Sequence, residues 1–170
     1  VFSYAIGTRL ENENCKSSTS LISVLDALKN FGSPRYVDFL EFCPRDVPEN
    51  IYNLAKENRI TDFVMLFNVS DPPETKIEAV KKALAEDMPV VIGMLCPPSF
   101  QIAKDFWQPR EKVSGDFEGH ALTVVGFDDN KFGGAFEVLN SWGSGWGNEG
   151  FIWIRYNDFA EFTQSAYELF

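Results

Sequence analysis

His120 is the only histidine of the chain, and it lies in the run GHALTVVGF, upstream of a second run, LNSWGSGWG, that contains Asn140. An imidazole exchanges protons near neutral pH, and an amide oxygen that accepts from one ring nitrogen leaves the other free to exchange a proton with a nucleophile. Trp142 could cover that hydrogen bond and keep water out. The alternative interpretation is that a lone histidine at the start of an apolar strand is a structural or a surface residue.

Small residues adjoin this pair of polar side chains. Gly119 leaves room beside the histidine for a backbone or a substrate to come close, and Ser141 directly follows the asparagine. Gly143, Gly145 and Gly147 predict a tight turn that lets the backbone pass near the site, although glycine-rich turns between strands are usually only turns.

The elements that would position His120 and Asn140 are strands. From Pro89 onward, short β-branched and aromatic runs alternate with Gly, Asp and Asn clusters, which predicts an antiparallel sheet or a partly closed barrel. The runs are PVVIGML, HALTVVGF, GAFEVLN, GFIWIRY and SAYELF.

The upstream part of the chain is predicted to be mainly helical. Apolar residues at helical spacing predict a helix in TSLISVLDALKNFGSP, capped by Thr19 or Ser20. VPENIYNLAKEN predicts a second helix with Pro48 in its first turn, and PPETKIEAVKKALAED predicts a third with Asp71 as its cap. DFVMLFNV, between the second and third helices, is predicted to be a strand. Helices followed by strands indicate the α+β class.

The stretch 96–118 shows no clear period and is predicted to be a long loop. It carries Phe100, Phe106 and Trp107, which together with Met94 could form an apolar subsite for a substrate side chain. Packing of these side chains in the core is the alternative.

Composition bounds the function. Twenty-five acidic residues against 15 basic ones give a net charge of -10, which repels nucleic acid and anionic lipid. No apolar run approaches the length of a membrane span. Asp128, Asp129 and Asn130 lack the spacing of a calcium loop, and a turn between two strands explains them, so no metal site is predicted.

The two motifs carry a family resemblance. GHALTVVGFDD followed by NSWGSGWGNEGFIWI resembles the His and Asn motifs of the papain-like (C1) cysteine peptidases in order and spacing. GGAFEVLNSWGSGWGNEGFIWIRYNDF is similar to the bacterial members, and NCKSSTSLISVLDALKNFGSPRYVDFLEFCP is similar to the segment after their catalytic helix. The resemblance implies an α+β papain-like fold over one domain, 1–170: an incomplete helical part, 1–88, packed on a sheet-rich or barrel part, 89–170.

The resemblance also implies roles for the residues. His120 would be the general base and ion-pair partner of a thiolate, Asn140 would orient it, and Trp142 would shield the pair. The substrate would be a peptide or protein, and no metal or organic cofactor would be needed.

The nucleophile departs from the family pattern. The family's catalytic cysteine opens a long helix and is preceded by a glutamine, and this segment is expected upstream of VFSYAIG. Cys15 precedes a helix whose dipole would favour a thiolate, but Arg9 stands where the glutamine should be. Cys15 fits a structural cysteine better, in a disulfide with Cys43. Cys96 is interpreted as a buried or loop thiol.

Three explanations of the missing nucleophile stay open. The chain is one piece of a processed enzyme whose second chain carries the cysteine, a truncated peptidase, or a module that only binds peptides. Other papain-fold peptidases and acyltransferases share the His motif, but they lack NSWGSGWG. Three cysteines are compatible with an oxidising compartment, and a secreted, periplasmic or cell-surface location is expected although no signal segment is visible.

Overall fold

The computed structural model of the chain describes residues 19–41 and 46–170. The chain divides into two compact units. Unit 1 comprises Val1–Phe63 with Phe170, and unit 2 comprises Val64–Leu169. Whether 1–170 forms a single domain divided after residue 88 stays a prediction.

Unit 1 contains two α-helices in its described part. Helix α1 spans Leu21–Asn30, and helix α2 spans Glu49–Lys56; a 3-10 turn, Tyr36–Asp38, lies between them. The Ser20 hydroxyl accepts a hydrogen bond from the Ser23 amide at 3.1 Å and so caps α1, as its sequence predicts. A small cluster of buried side chains holds the unit together: Ala27, Phe39, Ile51 and Ala55.

Unit 2 contains nearly all of the sheet. Its helices are α3 (Pro73–Ala85), α4 (Pro98–Gln101) and α5 (Tyr156–Phe162). The strands are β1 (Phe63–Phe67), β2 (Val90–Cys96), β3 (Phe106–Trp107), β4 (Glu118–Asp128), β5 (Ala135–Leu139), β6 (Phe151–Arg155) and β7 (Thr163–Leu169). The strands predicted from Pro89 onward are all present, so the α+β prediction is confirmed.

The strands form one open sheet in the order β1-β7-β2-β4-β5-β6-β3. Strand β2 pairs antiparallel with β4 and β7, and the pairs β4–β5 and β5–β6 are also antiparallel. Strand β3 lies parallel to β6 at one edge. The sheet is therefore mostly antiparallel and does not close into a barrel.

One face of the sheet carries the core of unit 2. Alternate residues of β2 are buried, which is the pattern of a strand with one covered face. Helices α3 and α5 contribute apolar side chains to the core, and the strands contribute the rest: Val80, Ala83, Phe159 and Phe162 from the helices, with Ile92, Met94, Val124, Phe136, Val138 and Ile154 among those from the sheet. This packing holds β2, β4 and β5 rigidly in the middle of the sheet.

A buried lysine fastens helix α3 to helix α5. Lys76 is 4% exposed, and its ammonium group donates to the carbonyl oxygens of Ala160 at 2.9 Å and Thr163 at 3.4 Å. The last carbonyls of a helix have no partner within the helix, so a cation there is stabilising. Burial lowers the pKa of Lys76 below its usual value.

Two predictions about local structure are wrong. Asp71 does not cap α3, because Pro72 is the residue that directly precedes the helix. The Asp71 carboxylate instead accepts from the main-chain N–H of Asn68 at 2.7 Å within the preceding turn. Likewise, Pro48 lies immediately before α2 and not in its first turn.

The stretch 96–118 is not a plain loop, because it contains α4 and β3. Met94, Phe100 and Trp107 are at most 1% exposed, so core packing describes them and an open substrate subsite does not. Among the described residues, no helix is both long and apolar enough to cross a bilayer.

The backbone conformation of the turn after Trp142 can be tested by substituting its glycines. Gly147 has φ 62°, and a Cβ there would collide with the Phe151 carbonyl oxygen. Gly145 has no positive φ, and a Cβ there would meet no atom of the described residues within 4 Å. We expect Gly147→Ala to lower the free energy of unfolding by about 2 kcal/mol or more, and Gly145→Ala to change it by less than about 0.5 kcal/mol. Urea unfolding of both variants checks this, and equal losses would contradict the structure of the turn.

Candidate active site

Two neighbouring strands bring His120 and Asn140 together. His120 lies near the start of β4, opposite Met94 of β2, and Asn140 directly follows the last residue of β5. Because β4 and β5 pair antiparallel, with Thr123 opposite Leu139, the two polar side chains lie at the same end of the sheet. The predicted pair is therefore one site, although it is separated along the chain by a whole hairpin.

The His120 and Asn140 side chains form a hydrogen bond in which Nε2 and Oδ1 are 2.8 Å apart. The main-chain amide of Ser141 donates to the same Oδ1 at 2.7 Å. A backbone N–H can only donate, so the Asn140 atom that it contacts must be the oxygen. That oxygen can only accept, so Nε2 of His120 carries a hydrogen, and in the neutral ring the lone pair is on Nδ1.

Asn140 is a buried polar residue, with 6% of its surface exposed. Its main-chain N–H donates to the Gly150 carbonyl at 2.9 Å, which ties the end of β5 to the far side of the following turn. Within the described residues, its Nδ2 has no hydrogen-bond partner. Burial of an unpaired polar atom is costly, and such costs are typically tolerated at functional sites.

Trp142 covers the histidine, as the sequence predicts. Its ring stacks on the His120 ring with centroids 4.8 Å apart and an interplanar angle of 28°. Trp142 is 41% exposed, so one face of the indole lies against the imidazole and the rest reaches solvent. The indole therefore shields one face of the imidazole from water.

Two aromatic residues that the sequence did not predict as neighbours of Trp142 hold its ring in place. Phe100 and Trp146 pack edge-on against it, at centroid distances of 5.8 and 5.3 Å. The Trp146 indole N–H donates to the Gln101 carbonyl at 3.1 Å, which joins the turn to helix α4. Trp146 lies in the same glycine-rich run as Trp142, so its position in the sequence could have indicated that it belongs to the site. Phe100 lies in the stretch that the sequence predicts to be a loop, which gives no indication of its contact with Trp142.

The turn itself has the predicted form. The Trp146 amide donates to the Gly143 carbonyl at 3.3 Å, and the Gly150 amide donates to the Trp146 carbonyl at 2.9 Å. A Cβ at Gly119 would meet no atom of residues 19–41 or 46–170 within 4 Å, so no described residue fills the space beside Gly119. A cavity of about 270 Å³ borders the site; it is lined by Val91, Ala121, Leu122, Thr123, Leu139, Asn140 and Ser141.

Cys96 is a buried, free thiol at the end of β2. Burial raises the pKa of Cys96 from 9.0 to about 12, so the thiol is protonated at neutral pH. Its Sγ lies 3.9 Å from the Met94 carbonyl, as a weak donor. The possible nucleophile Cys15, and the proposed disulfide of Cys15 with Cys43, lie outside the described residues. No thiol of the described residues hydrogen-bonds His120.

The acidic turn after β4 is held by its own contacts. The Asp128 carboxylate accepts from the Asn130 amide at 2.8 Å, which fits the turn interpretation. Asp129 binds the Lys81 ammonium at 2.8 Å and the Tyr156 hydroxyl at 2.7 Å, so that its pKa is lowered, chiefly by Lys81. Across residues 19–41 and 46–170, no group of three or more His, Cys, Asp or Glu side chains could hold a metal ion.

The stacking of Trp142 on His120 predicts slow exchange of the Nε2 proton. We expect Trp142→Ala to speed the exchange of that proton with water by about tenfold or more, because the bond loses its apolar cover, while Trp142→Phe keeps most of the protection. Since the chain has one histidine, NMR saturation-transfer measurements on its ring N–H need no further assignment. Exchange in Trp142→Ala that is as slow as in the parent protein would show that the indole gives no cover.

Comparison with known proteins identifies the family. The family model described as "Papain family cysteine protease" matches residues 45–168. An uncharacterised peptidase C1-like protein of Acanthamoeba polyphaga mimivirus is 29% identical over 120 residues, 67% of this chain and 38% of that protein. A cathepsin L-like protein of Caenorhabditis elegans is 35% identical over 104 residues, 58% of this chain and 31% of that protein. The chain thus spans between about a quarter and two fifths of the length of its curated relatives.

A comparison with solved structures finds a cysteine protease of similar fold. Xylellain, a cysteine protease from Xylella fastidiosa, superposes with a TM-score of 0.77 at 21% sequence identity, over 99% of this chain and 68% of that one. The resemblance to bacterial members in particular stays a prediction. From the match of the family model over most of its length, the chain belongs to the papain family of cysteine proteases.

Proposed function

We propose that this chain orients the general base of a cysteine peptidase that hydrolyses peptide bonds. The observation that carries the proposal is the hydrogen bond from His120 Nε2 to Asn140 Oδ1, with the orientation of the Asn140 amide fixed by the Ser141 N–H. This arrangement leaves Nδ1 of the neutral ring as a proton acceptor, which is the property that a thiol needs in its partner.

The proposed reaction begins with proton transfer from the thiol to Nδ1 of His120, which gives a thiolate and an imidazolium. The thiolate attacks the peptide carbonyl carbon, and the imidazolium returns its proton to the leaving amine as the C–N bond breaks. Water then attacks the resulting thioester while His120 accepts a proton from it. Collapse of that adduct breaks the C–S bond and releases the acid and the thiolate, and return of the proton from His120 regenerates the thiol. No cofactor is required by this sequence of steps.

Asn140 and Trp142 support this chemistry by stabilising the charged ring. In the imidazolium both ring nitrogens carry hydrogens, and the Asn140 oxygen still accepts from Nε2. Under the Trp142 indole the effective dielectric is lower than in water, which strengthens that charge-assisted bond.

The proposed nucleophile is a cysteine outside the described residues, on an upstream segment or on a second polypeptide. Cys96 is a poor candidate because its buried thiol stays protonated. Cys15 remains the candidate within the sequence. We further propose peptide or protein substrates, no nucleic-acid or membrane partner, and a secreted, periplasmic or cell-surface location.

A catalytically inactive, papain-like peptide-binding module is the second candidate. It is favoured by one observation, that no thiol of the described residues hydrogen-bonds His120. A module of this kind would bind peptides without turnover.

Labelling with an epoxysuccinyl cysteine-peptidase probe tests the peptidase proposal. The native preparation is treated with the probe and analysed by denaturing mass spectrometry for every polypeptide and every modified residue. We expect an adduct on a cysteine other than Cys96, and a fall of about a hundredfold or more in the labelling rate for His120→Ala. Cys96→Ala serves as the matched control and should label like the parent protein.

Each alternative gives a different result in that experiment. An adduct on a companion polypeptide supports a two-piece enzyme, and an adduct on Cys15 identifies the nucleophile within this chain. Peptide binding with neither adduct nor hydrolysis supports the binding module. Labelling that persists unchanged in His120→Ala contradicts the role proposed for the histidine.

The raised pKa of Cys96 has its own test. A rise from 9.0 to about 12 reduces the thiolate fraction at neutral pH about a thousandfold, and burial blocks access as well. We expect iodoacetamide to leave Cys96 unmodified in the native protein and to modify it after denaturation, as read by peptide mass mapping. Rapid modification of native Cys96 would contradict its assignment as an inert core thiol.

A further inference from the structure

The Asn140 side chain has two orientations that are nearly equal in shape. In the observed one, Oδ1 accepts from His120 Nε2 and from the Ser141 amide. A rotation of the amide by half a turn would place Nδ2 there instead. Nδ2 would donate to a bare Nε2, and the hydrogen of the neutral ring would move to Nδ1.

Both orientations keep one hydrogen bond between Asn140 and His120, so this bond alone cannot select between them. The buried Nδ2 also does not select, because no described residue pairs with it. The Ser141 N–H does distinguish the two. Turning the amide would place two donors face to face at 2.7 Å and would remove the acceptor of the main-chain N–H.

We propose that the main-chain N–H of Ser141 is a positioning group that selects the tautomer of His120. By holding Oδ1 toward Nε2, it keeps the lone pair of the neutral imidazole on Nδ1. This inference rests on the proposed function for its catalytic meaning: because Nε2 is bonded to Asn140, a lone pair on Nδ1 is the one that remains to take the proton of a thiol.

The turn after Asn140 keeps this N–H in place. The backbone on the Asn140 side is bonded to Gly150, and Gly150 is bonded in turn to the Trp146 carbonyl. Gly143, two residues beyond Ser141, adopts φ 87°, which glycine adopts without steric cost. The side chain of Ser141 has no part in the selection, because the bond is made by the main chain.

The test is the ring tautomer of His120, which long-range ¹H–¹⁵N NMR spectra report from the two nitrogen shifts. The full chain is measured at a pH at which the ring is neutral. Replacement of Ser141 by its α-hydroxy analogue turns the main-chain N–H into an ester oxygen and leaves every side chain unchanged; it also makes the Asn140 carbonyl a weaker acceptor, which does not touch the Asn140 side chain. We expect the ratio of the Nε2–H to the Nδ1–H tautomer to fall by about fivefold or more. Ser141→Ala retains the N–H and should behave like the parent protein.

Asn140→Asp supplies the matched control for misfolding. A carboxylate presents an oxygen in either orientation, so it does not need the Ser141 N–H to be oriented. We expect the combination of Asn140→Asp with the ester to restore the Nε2–H tautomer, and amide spectra of the ester variants should retain the dispersion of the native fold.

The outcomes separate this inference from the proposed function. A tautomer ratio that is unchanged by the ester overturns the inference, as does a parent ring with its hydrogen on Nδ1. A ratio that shifts as expected, while the native preparation with all its polypeptides shows neither a probe adduct nor peptide hydrolysis, supports the inference and rejects the peptidase proposal. An active enzyme with no shift rejects the inference alone.

Discussion

The hydrogen bond between His120 and Asn140 is the interaction around which unit 2 is arranged. A bond of 2.8 Å between His120 and Asn140 requires β4 and β5 to keep the register that pairs Thr123 with Leu139 at this end of the hairpin, where a slip of one residue would turn either side chain to the opposite face. The two helices packed on one face of the sheet fix that register. The glycine-rich turn fixes the other end, because Asn140 is bonded through its main chain to Gly150. The hydrogen bond from His120 Nε2 to Asn140 therefore depends on how the sheet that carries both residues is packed.

Aromatic side chains cover that bond, and the burial of the polar Asn140 side chain that goes with the cover costs free energy. The Asn140 amide is removed from water with one of its two polar atoms unpaired among the described residues, and Trp142 is held over the imidazole by Phe100 and Trp146. Rigid rings packed edge to face leave little freedom to the stacked indole, so its position needs no further hydrogen bond. A loose aliphatic cover would have left the pair accessible to water.

The sequence predicted the parts of this arrangement that depend on local pattern. The alternating runs indicated the strands. The occurrence of the only histidine shortly upstream of Asn140 and Trp142 indicated the hydrogen-bonded pair and the ring that covers it. The prediction did less well where tertiary packing decides. The segment carrying Phe100 and Trp107 has no period because it forms one short helix and a two-residue strand, each stabilised by burial and not by its own sequence. Asp71 has the residue type of a helix cap, but a neighbouring turn used its carboxylate. The hydrogen bond from the Ser141 main-chain N–H could not be predicted from the residue types, since every residue except proline has that N–H.

The order of the strands has a consequence for how the protein is made. Strand β7 is the last of the seven described strands to be synthesised, yet it lies between β1 and β2, so these two earlier strands have no direct hydrogen-bonded contact with each other. Until β7 is synthesised, β1 has no neighbour among the described strands and β2 has one open edge, and exposed strand edges are sites at which nascent chains pair with the wrong partner. The described sheet that positions His120 is thus completed only after β7 has been translated.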